Sequence, residues 1–256
     1  MFKKLPINLK IFKNYKSNYF ELYFEKYNKI IFPEVQMGNI SLYDLVFNKQ
    51  ELELISFIKN LKKKYSTIYD VGANVGLHST FFSQVFKEVV AYEPYDFHFH
   101  KIKLLKKINK IKNLKIINKA IAGDSGIKKL LIMLSNTTAN NLIDADRSRY
   151  GKIIKKNVMC ENINKIHNKG QLIKLDVEGY EGKIFQSIIF DKEKKRNSDY
   201  IVEIHNIKNA KIIFNKLKTI NFYDLFLVKE KKIKKIKNFS QFPKRQFHGH
   251  IYLRKK

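Results

Sequence analysis

The chain has 256 residues, 44% hydrophobic and 13% aromatic, enough apolar material for one large core and too much for global disorder, while 10 Gly and 4 Pro exclude a collagen-like or linker-rich protein. Lys and Arg number 51 against 23 Asp and Glu, a formal net charge of +28, a field that favours anionic partners. A single cysteine, Cys160, cannot form an internal disulfide, no apolar run approaches the roughly 20 residues of a membrane-spanning helix, and the first residues lack the continuous apolar stretch of a secretory signal, so a cytoplasmic chain is expected.

Residues 1–50 are aromatic-rich. Tyr15, Tyr19, Phe20, Tyr23, Phe24 and Tyr27 recur at helical spacing beside Lys13, Lys16, Lys26 and Lys29. This predicts a helix that covers the main domain with its aromatic face. The segment 1–50 is set apart as an N-terminal extension to a domain over 51–256. In that domain ELELISFIKNLKKK (51–64) places Leu52, Ile55, Ile58 and Leu61 on one helical face. STIYDVG (66–72) reads as a buried strand ending in a glycine turn, and LHSTFFSQVF (77–86) as the helix after it. EVVAYE (88–93) is a second strand, which Pro94 stops. Residues 96–110 form an amphipathic helix carrying Phe97, Ile102, Leu105 and Ile108, and NLKIINKAIAG (113–123) is a third strand. A polar loop holding TTANN (137–141) and DRSRYG (146–151) follows KKLLIML (128–134). QLIKLD (171–176) and DYIVEIH (199–205) are the fourth and fifth strands, each followed by a helix, EGKIFQSI (181–188) and NAKIIFNKL (209–217). NFYDLFLV (221–228) and HGHIYLRK (248–255) close the chain as strands with no helical segment between them.

Strands alternating with helices imply a parallel sheet covered on both faces. The fold class is therefore α/β, a doubly wound and mostly parallel sheet with an antiparallel hairpin at one edge. The steepest charge run, KEKKIKKIK (229–237), is expected to be a solvated helix or loop with Ile233 and Ile236 on the core. Its functional alternative is peripheral contact with an anionic membrane, at about 1 kcal/mol per lysine. Only five of the 51 cations are arginine, the residue whose planar fork reads nucleic acid, and lysine, isoleucine and asparagine share AT-rich codons. The charge is thus read as codon bias, and a nucleic-acid partner is not expected.

The chemistry concentrates at two strand ends. Asp70-Val71-Gly72-Ala73-Asn74-Val75-Gly76 joins the first strand to its helix, the place where ligands bind in open α/β sheets. Gly72 lets the chain turn and a ligand approach the backbone, and Gly76 stands where a side chain would meet the ligand or the strand. The spacing is G-x-x-x-G and not the G-x-G-x-x-G of dinucleotide sites, and Asp70 would serve a pyrophosphate poorly. S-adenosylmethionine has no phosphate and carries a sulfonium and an ammonium, which suits that carboxylate. Glu93, at the end of the second strand, can accept both hydroxyls of an adenosine ribose. A turn-capping Asp70 and a solvated Glu93 are the structural alternatives. The second cluster is Lys174-Leu175-Asp176-Val177-Glu178-Gly179-Tyr180-Glu181 at the end of the fourth strand, with His205 ending the fifth beside Glu203. A carboxylate or imidazole there can take the proton of an attacking hydroxyl. The structural alternative is a Lys174–Asp176 ion pair, with Glu178 and Glu181 capping the next helix.

YDVGANVGLHS, AYEPYDFHF, IKLDVEGYE and IVEIH, in this order and spacing, resemble the FkbM family of S-adenosylmethionine-dependent methyltransferases, whose most distinctive mark is the D-V-E-G element. The resemblance spans about residues 66–205, with weaker agreement to Leu253. It implies the seven-stranded Rossmann-like fold of class I methyltransferases and O-methylation of sugars, glycolipids, polyketides or related metabolites. Carried over, it implies that Asp70, Gly72, Ala73, Asn74 and Gly76 line the methionine end of the cofactor, Glu93 holds the ribose, and Ala120 and Ile121 flank the adenine. It also implies that Lys174, Asp176 and Glu178 lie near the transfer site, where His205 is a further candidate base. Residues 1–50, TTANN and the lysine-rich end fall outside the resemblance and are expected to face the acceptor, a small molecule or glycan. No metal is expected: Asp176 and Asn206 lack a second carboxylate, and His98 and His100 point to different helix faces. A nucleic-acid methyltransferase and a binding module without turnover are the rival functions.

Overall fold

The computed structural model describes residues 9–14, 19–24, 29–34, 36–37, 39–41, 49–61, 64–167, 169–191, 197–229, 232–242 and 249–256. The central sheet contains β6 (Thr67–Val71), β7 (Glu88–Tyr92), β8 (Leu114–Ile117), β13 (Leu172–Leu175), β14 (Asp199–Ile204), β15 (Tyr223–Lys229), β16 (Lys232–Ile236) and β17 (Gly249–Lys255). Their order is β16-β15-β17-β14-β13-β6-β7-β8. Strands β8, β7, β6, β13 and β14 run parallel, and β17, β15 and β16 pair antiparallel at one edge. This is the doubly wound, mostly parallel sheet expected, with eight strands where seven were anticipated. The additional strand is β16, cut from the lysine run read as helix or loop. Its Ile236 is buried as expected, whereas Ile233 is exposed. Residues 230 and 231 of that run lie outside the described residues.

Strand periodicity divides the core between the two faces. In β14, Tyr200, Val202 and Ile204 join one apolar cluster and Ile201 the other. In β15, Leu225 and Leu227 oppose Phe226 and Val228 in the same way. Helices α1 (Lys49–Leu61), α2 (Leu77–Val85) and α3 (Asp96–Ile108) cover one face through Leu54, Ile58, Phe81, Phe82, Ile102 and Leu105. Helices α5 (Glu181–Ser187) and α6 (Ile207–Ile220) cover the other through Ile184, Phe185, Ala210, Ile213 and Leu217. With both faces covered, the central strands carry near-continuous apolar runs. Phe97, assigned to the buried face of α3 by periodicity, is instead 43% exposed.

Two segments depart from the sequence reading. At the N-terminus, β1 (Leu9–Asn14), β2 (Tyr19–Phe24) and β3 (Ile30–Pro33) form an antiparallel sheet where a helix was expected, and β4 (Gln36–Met37) pairs antiparallel with β5 (Ile40–Ser41). Phe20 and Leu22 are buried, whereas Tyr19, Glu21 and Tyr23 are half-buried, a period of two that overrides the apparent helical spacing. Tyr15 and Tyr27 of that stripe lie outside the described residues. Asn109, just beyond α3, accepts the Ile31 N–H and donates to the Ile31 carbonyl, both at 2.7 Å, and so ties this sheet to the main domain. The second departure splits the expected third strand. Asn118 donates to the carbonyls of Glu93 and Pro94. Beyond it the chain leaves the central sheet, and β9 (Ala120–Ala122) joins a second sheet with β10 (Gly126–Met133), β11 (Asn141–Leu142) and β12 (Ile153–Asn162), ordered β11-β10-β12-β9. A short α4 (Asn164–His167) leads back to β13. No helix among the described residues is long and apolar enough to cross a membrane.

Candidate functional site

The C-terminal ends of β6, β7 and β13 converge on the glycine turn. The N–H groups of Gly72 and Ala73 both donate to the Tyr92 carbonyl at 3.0 Å. Gly72 has φ +79, and a Cβ there would stand 1.7 Å from the Asp176 carbonyl oxygen. Glycine is therefore required for the turn to lie against the end of β13. Asn74 occupies the left-handed region at φ 54, which asparagine tolerates better than most residues. At Gly76 an added Cβ would lie 3.0 Å from Ile102. That constraint is packing against α3, where the sequence suggested a clash with ligand or strand.

Beside this turn lies a partly open hollow, about 620 Å³ of empty space including the part that opens to solvent. Its floor is Val71, Gly72 and Asn74, and its walls include Glu93, His98, Ala120, Ile121, Asp176 and Glu178. Glu93 is nearly enclosed. One carboxylate oxygen accepts the Asn74 N–H and the other the Tyr95 N–H, each at 2.8 Å. Burial pushes its carboxyl up to about 8, against the downward pull of those two N–H groups. His98 is buried and held neutral, its pKa lowered to about 3 by desolvation, and its Nε2 lies 3.1 Å from Thr137 Oγ1. His100 is exposed on the other side of α3, so the two imidazoles do diverge. Thr137, Thr138, Asn140 and Asn141 also line this hollow. The TTANN segment thus forms a wall of this hollow, a placement that its polar composition alone did not reveal.

Asp70 does not line the hollow. It is fully buried beneath it, accepts the Ser79 hydroxyl at 2.5 Å, and lies 3.4 Å from the Lys174 ammonium. Lys174 in turn stands 3.1 Å from Asp176 Oδ2 and is itself buried. The structural ion pair weighed at the sequence level is present and extended to three members. Asp176 nevertheless reaches the hollow, and together with Ala73, Asn74 and Lys174 it also lines a smaller one of about 360 Å³ behind the turn.

The D-V-E-G turn gathers the remaining chemistry. Glu178 adopts φ 53 and Gly179 φ 95. A Cβ on Gly179 would lie 2.7 Å from the Asp146 carbonyl oxygen, so glycine admits the 146–151 loop against the turn. That loop delivers Arg147, whose guanidinium pairs with Glu178 Oε2 at 2.8 Å. Glu181 is fully buried. Its Oε1 accepts the N–H groups of Val177 and Gly179 and faces His205 Nδ1 at 2.7 Å, and its Oε2 accepts from the Asn209 amide. It therefore caps the D-V-E-G turn, not the helix after it as the structural alternative had expected, and also orients the imidazole. His205 Nε2 is turned to Glu178 Oε2 at 3.4 Å and Asp176 Oδ1 at 3.6 Å. Burial alone would pull the His205 pKa down, but the carboxylates of Glu178 and Glu181 outweigh it and hold the imidazole well above its ordinary range. Burial likewise raises Glu178, against the opposing pull of His205 and Arg147. The pair therefore retains a proton near neutrality.

On the far side of this pair is a second hollow of about 810 Å³, lined by Asp146, Arg147, Tyr150, His205, Asn206 and Lys208 among others. Glu178 lines the first hollow and His205 borders the second. Asp176, Glu178 and His205 offer three ligand atoms within 4.8 Å of one another, the geometry of a possible cation site. Asn206 is committed elsewhere: it caps α6 by accepting the Asn209 N–H and donates to the Asp146 carbonyl. Of the residues singled out in the sequence, Gly72, Asn74, Glu93, Ala120, Ile121, Asp176 and Glu178 share the first hollow, and His205 faces the second. Ala73 and Lys174 lie behind the turn, and Asp70 and Gly76 support it from within. Arg147 and the Asn140–Asn141 pair were not singled out as site residues.

No family model matches the chain, and no curated protein matches it. Among solved structures, the chain is similar to a putative rRNA-methylase from Clostridium thermocellum (10% identity over 79% of this chain and 95% of that one, TM-score 0.46). It is also similar to a precorrin-6y C5,15-methyltransferase from Geobacter metallireducens (11% identity, 81% and 87% covered, TM-score 0.43). A third is the putative methyltransferase SMU.1697c from Streptococcus mutans in complex with SAH (11% identity, 79% and 97% covered, TM-score 0.41).

Proposed function

We propose that the chain is an S-adenosylmethionine-dependent O-methyltransferase, with the cofactor in the first hollow and a carbohydrate, glycoconjugate or related metabolite in the second. The observation that carries this reading is electrostatic. In a chain of 51 cations, no lysine or arginine is among the described residues lining the first hollow. It presents instead the Glu93 carboxylate and two buried oxygens, Asn74 Oδ1 and Asp176 Oδ1, that lack a hydrogen-bond partner among the described residues. Buried acceptors without donors suit a ligand that brings an ammonium, a sulfonium and ribose hydroxyls, and do not suit a phosphate.

When bound, S-adenosylmethionine supplies an electrophilic methyl group. The chain's own residues do the rest. Glu93 accepts the ribose hydroxyls, and Asn74 and Asp176 accept the ammonium. The acceptor hydroxyl gives its proton to the Glu178–His205 pair, whose imidazole is oriented by Glu181. Most of the rate enhancement comes from holding the hydroxyl in line with the methyl group. Tyr150, about half exposed, offers the second hollow an aromatic face against which a sugar ring can pack.

Calorimetric titration with S-adenosylhomocysteine tests the cofactor assignment. Glu93→Ala removes a charge-assisted acceptor of about 1.5–3 kcal/mol, and its affinity is expected to fall roughly 10- to 100-fold. In the wild type the ribose donors favour the ionised carboxylate, so binding releases a proton from Glu93. Affinity is therefore expected to rise with pH toward about 8 and level off above it. Affinity independent of pH in that range contradicts the role given to Glu93. We further propose that no metal takes part, because Arg147 already pairs with Glu178 and Lys174 with Asp176. Methyl transfer is expected to be unchanged by EDTA, and loss restored by added Mg²⁺ or Mn²⁺ contradicts this.

A further inference from the structure

Asn140 and Asn141 have no part in the chemistry above, yet both line the first hollow. Each amide is anchored by one half. Asn140 Oδ1 accepts the Met133 N–H at 3.1 Å, and Asn141 Nδ2 donates to the Ala139 carbonyl at 3.0 Å. Because the oxygen and nitrogen occupy opposite corners of a planar amide, these bonds settle which atom each asparagine has left over. The remainders are a donor, Asn140 Nδ2, and an acceptor, Asn141 Oδ1. Both atoms are buried, and neither has a hydrogen-bond partner among the described residues. Asn141 is only 2% exposed, so its free oxygen is not served by bulk water. A buried donor and a buried acceptor without partners cost stability unless a ligand entering the hollow completes them.

The rest of that wall indicates which ligand. Ala120, Ile121, Leu130 and Leu142 give the hollow apolar surfaces fit to clamp a flat ring. An adenine presents an acceptor, N1, beside a donor, the exocyclic N6 amine, the complement of the Asn140 and Asn141 remainders. We propose that Asn140 and Asn141 read the nucleoside base: Asn141 Oδ1 accepts from the N6 amine and Asn140 Nδ2 donates to N1. The proposal rests on the nucleoside reading of this hollow and makes the β10–β11 turn the element that selects adenine. Hypoxanthine inverts both groups, with a protonated N1 and a carbonyl at C6, and so opposes both asparagines at once.

The test is binding, read by calorimetry, of S-adenosylhomocysteine and S-inosylhomocysteine to the full chain. The wild type is expected to prefer the adenosyl ligand by about 100-fold or more, since a site built on hydrogen bonds rejects an analogue that leaves them unpaired. Asn140→Leu and Asn141→Leu are each expected to weaken the adenosyl ligand by about 10-fold and the inosyl ligand much less, shrinking the preference. The wild-type comparison needs no variant and stands even if a substitution impairs folding. Equal affinity of the wild type for both ligands overturns the proposal, as does a preference that survives both substitutions. Binding of neither ligand overturns the nucleoside reading of the hollow together with it.

Discussion

Gly72→Ala is expected to remove ligand binding and lower the melting temperature together. The added Cβ would lie 1.7 Å from the Asp176 carbonyl oxygen, and Gly72 sits at φ +79. The left-handed conformation alone costs an L-residue about 1–2 kcal/mol. The clash cannot be relieved by a rotamer change, because both parties are backbone. The turn must lift from the end of β13, and this breaks the bonds of Gly72 and Ala73 to Tyr92 and displaces Asn74 from Glu93. A total of about 3 kcal/mol corresponds to a fall in melting temperature of roughly 6–12 °C for a chain of this size. Thermal unfolding with and without S-adenosylhomocysteine measures both effects. A variant with wild-type stability and affinity would mean that Gly72 is not pressed between two strand ends.

His205→Gln is expected to separate chemistry from cofactor binding. His205 borders the second hollow with its side chain only 1% exposed, and it meets the first only through Glu178 and Asp176. Its loss is expected to lower kcat by about 10²–10⁴-fold, the range for a positioned acid–base group, and to leave the affinity for S-adenosylhomocysteine within about threefold. The pH dependence has a defined sign. The groups facing Nε2 are Glu178, Asp176 and Glu203, with Glu181 on Nδ1. The Glu178–His205 pair holds its proton more tightly than free side chains do, so the base form appears only as pH rises. The wild-type rate is therefore expected to climb above neutral pH, and the variant to lose that limb. Equal kcat in variant and wild type would remove His205 from the reaction.

Much of the site could be read in the sequence because its motifs sit where short-range rules are strong. A buried strand running into a glycine turn and a helix fixes the place of Asp70 to Gly76, and an acidic residue at the next strand end fixes Glu93. The D-V-E-G element was legible as a rim of carboxylates, although the tasks of its members were not. That Glu181 holds His205 and that Gly179 admits Arg147 depend on loops far apart in the chain. The N-terminal sheet was misread because its aromatic residues fit a period of 3.6 as well as a period of two, and only burial of Phe20 and Leu22 in the apolar core decides between them. The second sheet was hidden for a different reason. β12, IIKKNVMCEN, has lysines and polar residues at half of its positions and buries only Val158 and Cys160, so no alternation announces it. TTANN reads as an exposed polar loop. Its inward course is set by Asn136 capping Thr138 and by Thr137 meeting His98, contacts that no local pattern shows.

The central claim is that the hollow above β6 and β7 receives a sulfonium nucleoside and its thioether product. Titration of the folded chain with S-adenosylhomocysteine, with ATP and NAD as competitors, tests it most directly. The account expects one saturable site, a melting temperature raised by roughly 5–10 °C at a hundredfold excess over Kd, and no displacement by either phosphorylated nucleotide. A folded chain that shows no saturable uptake, or that exchanges the ligand for ATP or NAD, would contradict it.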